Sequence, residues 1–259
     1  MEIPSTLCSN VYDFAFCPEP CYERLADPED WGPGNRILKN YLSFSFSRAV
    51  FLTERDVDQT APSNLPLVFD DDRCLFNTGL YTRRYETIYG LFEPNTKPDA
   101  RQRWFLKGFF KESDPMLVSF EYLPCRVRFA EDPSELVFDY RLPIRSNIDH
   151  ILGDEENLTR IPASLMGEDN SLLLRRAFEG AVVEAARRAA ANYTLAVPQF
   201  YGGRIQLLLP LCLTGDKPEL ALTIQREDGF YAARTCLTLD MAYNNARLIC
   251  RPETSWIKR

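Results

Sequence analysis

The sequence from 204 to 239, RIQLLLPLCLTGDKPELALTIQREDGFYAARTCLTL, decides the fold of the C-terminal part of the chain. Three apolar runs of strand length alternate in it with two turn signals, GDKP and the pair of Asp228 and Gly229. An Asp-Gly pair between strand-like runs is a strong hairpin signal, because both residues tolerate a positive φ. The stretch therefore predicts a three-stranded antiparallel meander.

The side chains of this meander divide between the two faces of the sheet, because successive residues of a strand point to opposite sides. Leu207, Leu209 and Leu211 share one face of the first strand. If the leucine-rich faces of the three strands align, the opposite face collects polar side chains that donate hydrogen bonds. These are Arg204, Gln206, Thr223, Gln225 and Arg234.

The segment that follows, DMAYNNARLI from 240 to 249, changes to helical spacing, with Asp240 as a candidate N-cap. Asp240, Asn244 and Arg247 are spaced i, i+4 and i+7 and share one helical face, next to Tyr243. Arginine forks suit phosphate oxygens, and amides suit base edges or ribose hydroxyls. The alternative is a structural role, in which Asp240 caps the helix and the other polar groups close internal hydrogen bonds or face water.

The rest of the chain mixes helical and strand-like patterns. Residues 170–192 carry an apolar stripe at helical spacing, and residues 35–56 carry a second one. Residues 66–92, 104–110 and 125–130 read as strands between turns. Five prolines interrupt residues 1–34. We therefore predict an irregular N-terminal arm over 1–34 and a single α+β domain over 35–259, in which a long helix packs on one face of a largely antiparallel sheet.

The composition excludes several classes of function. The 259 residues carry a net charge of -7, which argues against coating nucleic acid through a basic surface. The single histidine, His150, excludes paired-histidine catalysis and multi-histidine metal centres. No two of the eight cysteines form a C-x-x-C pair, and we expect them to be reduced thiols of a cytoplasmic protein. No apolar run reaches the roughly 18 residues of a membrane span, so we expect a soluble protein with no membrane partner.

Two further polar motifs lie in the first half of the chain. Asp70 and Asp72 form a D-x-D arrangement that suits a hard ion such as Mg²⁺ or Mn²⁺, although a solvated turn explains it as well. Asn77, Thr78 and Gly79 follow a strand-like run, where backbone N–H groups and a hydroxyl could meet an anion. A plain turn explains these three residues equally well.

Four stretches of the chain resemble a known family. They are LFNTGLYTRRYETIYGLFE, WFLKGFFKES, AVPQFYGGRIQLLLPLCL and RTCLTLDMAYNNARLICRPETSW. They are similar to the domain of unknown function that is associated with OST-HTH (LOTUS) RNA-binding modules, and the resemblance implies a setting in RNA metabolism. The matching motifs contain Asn77, Thr78, Gly79, Gln206, Asp240, Tyr243, Asn244, Asn245 and Arg247. Residues 1–65 are too short and too interrupted by proline for an OST-HTH module.

These patterns lead to one functional hypothesis and two alternatives. We expect a protein of RNA metabolism that binds RNA or nucleotide phosphates on an Arg/Asn/Gln-rich surface of sheet and helix, with an RNA-processing protein as a further partner. The expected substrate-binding residues are Asn77, Thr78, Arg204, Gln206, Arg234, Tyr243 and Asn244. As an enzyme it would process RNA ends or other phosphoesters without histidine, using Asp240 and Arg247 as catalytic residues and Mg²⁺ or Mn²⁺ as an optional ion. The alternatives are a non-catalytic protein-interaction module and a sensor of a free nucleotide.

Overall fold

The computed structural model describes residues 7–26, 29–70, 72–166 and 171–257. The chain divides into two compact units, Met1–Arg128 and Phe129–Arg259. Each unit contains a five-stranded, mostly antiparallel sheet and its own helices. The predicted α+β class is therefore confirmed, whereas the predicted boundary between residues 34 and 35 stays a prediction. None of the helices in the described ranges is both long enough and apolar enough to cross a membrane.

The first unit has a sheet with the strand order β1-β5-β4-β3-β2. Its strands are β1 (Ala15–Phe16), β2 (Leu67–Asp70), β3 (Arg73–Tyr81), β4 (Thr87–Pro94) and β5 (Trp104–Lys111). Its helices are α1 (Val11–Phe14), α2 (Glu19–Ala26) and α3 (Arg36–Asp56). Strand β1 is parallel to β5, and the other pairs are antiparallel.

Helix α3 confirms the helical prediction for residues 35–56, although its SFSFS segment alternates with the period of a strand. Its buried residues recur every three or four positions, as Leu38, Leu42, Phe46 and Ala49 show. Phe44 lies on the outer side and is 57% exposed. Packing of one helical face against the sheet thus overrides the local period-two pattern.

The second unit has a sheet with the strand order β6-β10-β9-β8-β7. Its strands are β6 (Ile144–Arg145), β7 (Val197–Tyr201), β8 (Arg204–Leu211), β9 (Leu220–Glu227) and β10 (Phe230–Thr238). Its helices are α4 (Ile148–Gly153), α5 (Glu155–Leu158), α6 (Ser171–Ala191) and α7 (Leu239–Ala246). The predicted meander is confirmed as β8-β9-β10, with its second turn at Asp228 and Gly229.

The predicted long helix is confirmed as α6, which packs on strand β8. Residue 170, where the predicted helix began, lies outside the described residues. The buried stripe of α6 includes Leu174, Phe178 and Val182. The predicted strand at 125–130 is wrong, because these residues form no sheet ladder. Instead the backbone N–H of Cys125 donates to the carbonyl of Leu65 at 3.0 Å, which ties the segment to the loop before β2.

Candidate functional site

Three glutamines lie side by side on one face of the second sheet. Gln199 of β7 is opposite Gln206 of β8 in the strand register, and the Nε2 of Gln199 donates to the Oε1 of Gln206 at 2.8 Å. The Nε2 of Gln206 in turn donates to the Oε1 of Gln225 in β9 at 3.3 Å. All three side chains are buried, with at most 8% exposure. Buried amides must be hydrogen-bonded, and these three largely satisfy one another across the strands.

This row of amides is extended at both ends. Asn245 of α7 donates from its Nδ2 to the Oε1 of Gln199 at 3.0 Å. At the other end Gln225 donates from its Nε2 to the Oε1 of Glu227 at 2.9 Å, and that carboxylate also accepts a hydrogen bond from Arg234. A carboxylate only accepts hydrogen bonds, so it sets the direction of every amide before it. We call the row of Asn245, Gln199, Gln206, Gln225 and Glu227 the amide chain.

The amide chain brings two of the predicted site residues together, but it also uses hydrogen-bonding groups of both. Gln206 lies in the middle of the amide chain, and Arg234 bonds to Glu227 at the end of it. Arg234 forms an ion pair with Glu227, while 47% of its side chain remains exposed. The expected donor-rich face therefore exists, but its buried part is internally hydrogen-bonded. Only its exposed border has donors that face solvent.

That exposed border includes Arg234 of β10, which bonds to Glu227, and the hairpin between β7 and β8. Tyr201 and Arg204 are opposite each other in the strand register, so their side chains share a face. Arg204 is also on the same face as Gln206, two residues further along β8. Tyr201 is 67% exposed and Arg204 is exposed. We call the exposed side chains of Tyr201, Arg204 and Arg234 the sheet-end surface.

Helix α7 and its C-cap residue carry the remaining predicted residues of the second unit. Its N-cap is Thr238, whose Oγ1 accepts a hydrogen bond from the backbone N–H of Met241 at 3.3 Å. The expectation that Asp240 is the N-cap is therefore wrong, since Asp240 is the second residue of the helix. Its exposed carboxylate lies in the first turn, where the helix dipole favours negative charge.

The other polar residues of α7 are less accessible than Asp240. Tyr243 and Arg247 are 5% and 7% exposed, and Asn244 is half-buried. Asp240 and Arg247 are two turns apart, which corresponds to about 10 Å along a helix axis. A guanidinium this buried supports the structural alternative for Arg247 better than contact with a substrate. The expected catalytic roles of Asp240 and Arg247 stay predictions.

Asn77 and Thr78 belong to the first unit, where both are buried in a bulge of β3. Asn77 donates from its Nδ2 to the carbonyl of Pro124 at 2.8 Å and accepts from the N–H of Gly79 at 3.0 Å. Thr78 donates from its Oγ1 to the carbonyl of Ile88 at 2.5 Å and accepts from the N–H of Leu80. These bonds engage the polar atoms that a substrate would need, so they favour a structural role for both residues.

The D-x-D motif lies at the turn after β2. Asp70 accepts a hydrogen bond from Arg73, and Asp71 lies outside the described residues. In the described part of the chain no three His, Cys, Asp or Glu side chains are grouped as metal ligands would be. The expectation of Mg²⁺ or Mn²⁺ stays a prediction, and the contact of Asp70 with Arg73 is that of an ordinary strand turn.

Comparison with known proteins places the chain in a family. Residues 22–256 match the family model of a domain of unknown function, DUF3825. The chain belongs to the DUF3825 family. No curated protein and no solved structure matches it. The DUF3825 match carries no link to OST-HTH or LOTUS modules, so that association stays a prediction.

Sequence reasoning missed three residues that shape the surface of this DUF3825 chain. Gln199 and Glu227 bond to the predicted glutamines, and Tyr201 faces Arg204. Alternation of side chains along the AVPQFYGG segment would have placed Gln199 and Tyr201 on one face, with Gly202 and Gly203 as the turn. The contact of Asn245 with Gln199 has no sequence signal, because 46 residues separate the two.

Proposed function

We propose that the second unit binds RNA or nucleotide phosphates on the sheet-end surface. The observation that carries this proposal is the pairing of an exposed tyrosine with an exposed arginine on one face of an antiparallel sheet. Tyr201 and Arg204 occupy directly opposed positions of β7 and β8. Arg204 has no ion-pair partner among the residues that the structure describes.

The two side chains provide complementary contacts for a nucleotide. An exposed tyrosine ring offers a face on which a base stacks, which contributes about 1–3 kcal/mol per base in single-strand binding proteins. An arginine fork beside it offers two donors to one phosphate. Antiparallel sheets that carry exposed aromatic residues are a recurrent platform for single-stranded RNA. Gln206 lies two residues from Arg204 on the same face, but its amide is bonded to Gln199 and Gln225.

The charges limit how strongly and how extensively the surface binds. Glu227 offsets the charge of Arg234, and the whole chain carries a net charge of -7. The proposed contact therefore covers one or two phosphates rather than a long strand. For single strands, each neutralised phosphate contributes a slope of about -0.7 in a plot of log affinity against log salt. We expect a slope between about -0.7 and -1.4.

The proposal extends to chemistry at Asp240, because its carboxylate is exposed on the first turn of α7. In an RNA-end or phosphoester reaction Asp240 would act as a base or as a metal ligand. Asp240→Asn keeps the size of the side chain while removing its charge and replacing one acceptor oxygen with a donor NH2 group. Loss of turnover with retained RNA affinity in this variant would support the catalytic role, and unchanged turnover would exclude it.

Fluorescence anisotropy with a labelled eight-nucleotide oligouridine tests the binding proposal. Arg204→Glu should weaken binding at least tenfold, and Tyr201→Ala should weaken it between about five- and 150-fold. The matched control is Arg187→Glu on α6, an exposed arginine of the same unit that undergoes the same charge change. Equal effects of Arg204→Glu and Arg187→Glu, or no binding by the unmodified chain in 50 mM salt, would contradict the proposal.

An interaction module is the second candidate, and helix α3 favours it. Phe44 and Phe51 are 57% and 51% exposed and lie seven residues apart, hence on one face. The guanidinium carbons of Arg48 and Arg55 lie 4.9 and 5.9 Å from the centre of the Phe51 ring. Aromatic residues and arginine are the types enriched at binding hot spots. A partner that survives RNase treatment and is lost in Phe44→Ser with Phe51→Ser would favour this candidate over RNA binding.

A further inference from the structure

The first unit contains a cavity of about 300 Å³ between helix α2 and strand β5. Arg24 and Leu25 line it from α2, Ile88 from β4, and Lys107, Phe109 and Lys111 from β5. All of its lining residues belong to the first unit. We call it the α2 cavity. Its volume lies at the lower end of the range that is typical of small-molecule sites.

The cavity arises because β1 is too short to cover β5. Strand β1 pairs only with Trp104 and Phe105, so within the described ranges the remainder of β5 is a sheet edge. Helix α2 lies against that edge, with the rings of Tyr22 and Phe109 6.2 Å apart. A bulge opposite Leu91 inserts Lys107 into β5 as an additional residue. Bulges re-aim side chains at sheet edges.

Three cationic residues, Arg24, Lys107 and Lys111, are among those that line the α2 cavity. Arg24 is exposed in the last turn of α2 and has no ion-pair partner in the described parts of the chain. The Nζ of Lys107 lies 3.1 Å from the Oε2 of Glu93, and the Nζ of Lys111 lies 3.3 Å from the Oε1 of Glu86. Exposed pairs of this kind contribute about 0–1 kcal/mol, so an incoming anion competes with them.

The remaining walls of the cavity are apolar or already engaged. Leu25 and Ile88 are buried, and Phe109 is half-buried. Asp114, an acid of the lining, accepts a hydrogen bond from the backbone N–H of Met116 at 3.0 Å. The hydroxyl of Thr82 accepts from two backbone N–H groups, and its own proton is available to donate. The lining of the cavity thus combines cationic and apolar residues.

We propose that the α2 cavity binds a small aromatic anion that carries a phosphate monoester or a carboxylate. The anionic group contacts Arg24 and one of the two lysines, and the ring packs against Leu25, Ile88 and Phe109. A purely structural account is available for each cation, since lysines protect sheet edges and a cation stabilises a helix C-terminus. Neither account explains why all three cationic residues line the same cavity together with Leu25, Ile88 and Phe109. The proposal does not depend on RNA binding by the second unit.

Alkylation of Cys21, which also lines the α2 cavity, locates the ligand directly. Burial raises the pKa of the Cys21 thiol and the charge of Arg24 lowers it, so each variant is compared only with itself, with and without ligand. Phenyl phosphate is the probe, and benzoate, inorganic phosphate and phenol are the companion compounds. Mass spectrometry after iodoacetamide treatment measures the extent of Cys21 alkylation, and alkylation of the exposed Cys8 serves as an internal control.

We expect 10 mM phenyl phosphate to slow Cys21 alkylation at least fivefold and to leave Cys8 unchanged. Arg24→Ala should abolish this protection. Arg101→Ala should retain it, because that arginine is 81% exposed and pairs only with Asp13 in the described structure. Absence of protection by both phenyl phosphate and benzoate would overturn the proposal, as would full protection in Arg24→Ala. Equal protection by phenol would show an apolar site and overturn the anionic part.

Discussion

The Nε2 of Gln199 lies 2.8 Å from the Oε1 of Gln206, and this hydrogen bond belongs to the amide chain that ends at Glu227. The amide chain joins strands β7, β8 and β9 to helix α7 through Asn245. Each member depends on its neighbours, because a buried amide that loses a partner keeps the full cost of its desolvation.

Gln206→Leu should therefore destabilise the second unit by about 1–3 kcal/mol, since it leaves a donor of Gln199 and an acceptor of Gln225 unsatisfied. Urea denaturation followed by far-UV circular dichroism measures the change. Adding Gln199→Leu should recover part of the loss, because two apolar side chains then face each other. If the double variant lost the sum of the two single losses in stability, Gln199 and Gln206 would not be energetically coupled in the amide chain.

Gly79 and Gly203 form a matched pair for a backbone prediction. Both have a positive φ, of 70° and 80°, which costs a residue with a Cβ about 1–2 kcal/mol. A Cβ on Gly79 would also lie 2.7 Å from the hydroxyl of Tyr41, whereas nothing lies within 4 Å of one on Gly203. That hydroxyl is held by the carbonyl of Thr78 at 2.8 Å.

Gly79→Ala should accordingly cost about 2–4 kcal/mol of unfolding free energy and Gly203→Ala about 1 kcal/mol. Denaturant titrations of both variants provide the measurement. Adding Tyr41→Phe to Gly79→Ala should restore part of the difference, because it removes the clashing oxygen. Similar losses in the two glycine variants would indicate that the bulge in β3 adjusts without strain.

Thr238 and Asp240 have separable roles at the start of α7. Thr238→Ala removes the N-cap and should cost about 1 kcal/mol. Asp240→Asn should cost less than Thr238→Ala, because it leaves the N-cap in place and removes one charge from the first turn of the helix. Thermal unfolding of both variants checks the order. A larger loss for Asp240→Asn than for Thr238→Ala would contradict this order.

Asp139 gives a prediction for acid pH. Two hydrogen bonds from the guanidinium of Arg141, at 2.8 and 2.7 Å, lower the pKa of the Asp139 carboxyl from 3.8 to about 2. A lowered folded-state pKa means that the ionised form is favoured by folding. The stabilising contribution is therefore complete above pH 3.8 and is lost as the pH falls through 2.

The unmodified chain and Asp139→Asn should differ most above pH 4 and converge towards pH 2, as urea midpoints at several pH values would show. NMR titration of Asp139 reports the pKa itself, and Arg141→Ala should return it towards 3.8. Arg226, whose guanidinium lies 3.9 Å from the same carboxylate, is the control, since its removal should have the smaller effect. If the urea midpoints of the unmodified protein and of Asp139→Asn changed in parallel with pH, the prediction would be contradicted.

Local patterns were sufficient for the secondary structure that depends on neighbouring residues. The Asp228–Gly229 turn and the leucine alternation predicted β8, β9 and β10, and the apolar stripe predicted α6. The pattern at 125–130 misled because it resembles a strand but has no partner strand to form a ladder with. Pairing is a property of two segments, and one segment does not encode it.

The sequence by itself determined the α+β class, the meander, the long helix and the side chains that share each strand face, because alternation and turn chemistry act over a few residues. Only the tertiary structure decided which of those polar groups meet solvent. Gln206 is engaged by Gln199 and Gln225, and Arg204 stays exposed beside Tyr201. Burial and hydrogen-bond satisfaction depend on segments that are distant in the chain, so spacing alone does not distinguish a donor that holds the fold from one that is available to a ligand.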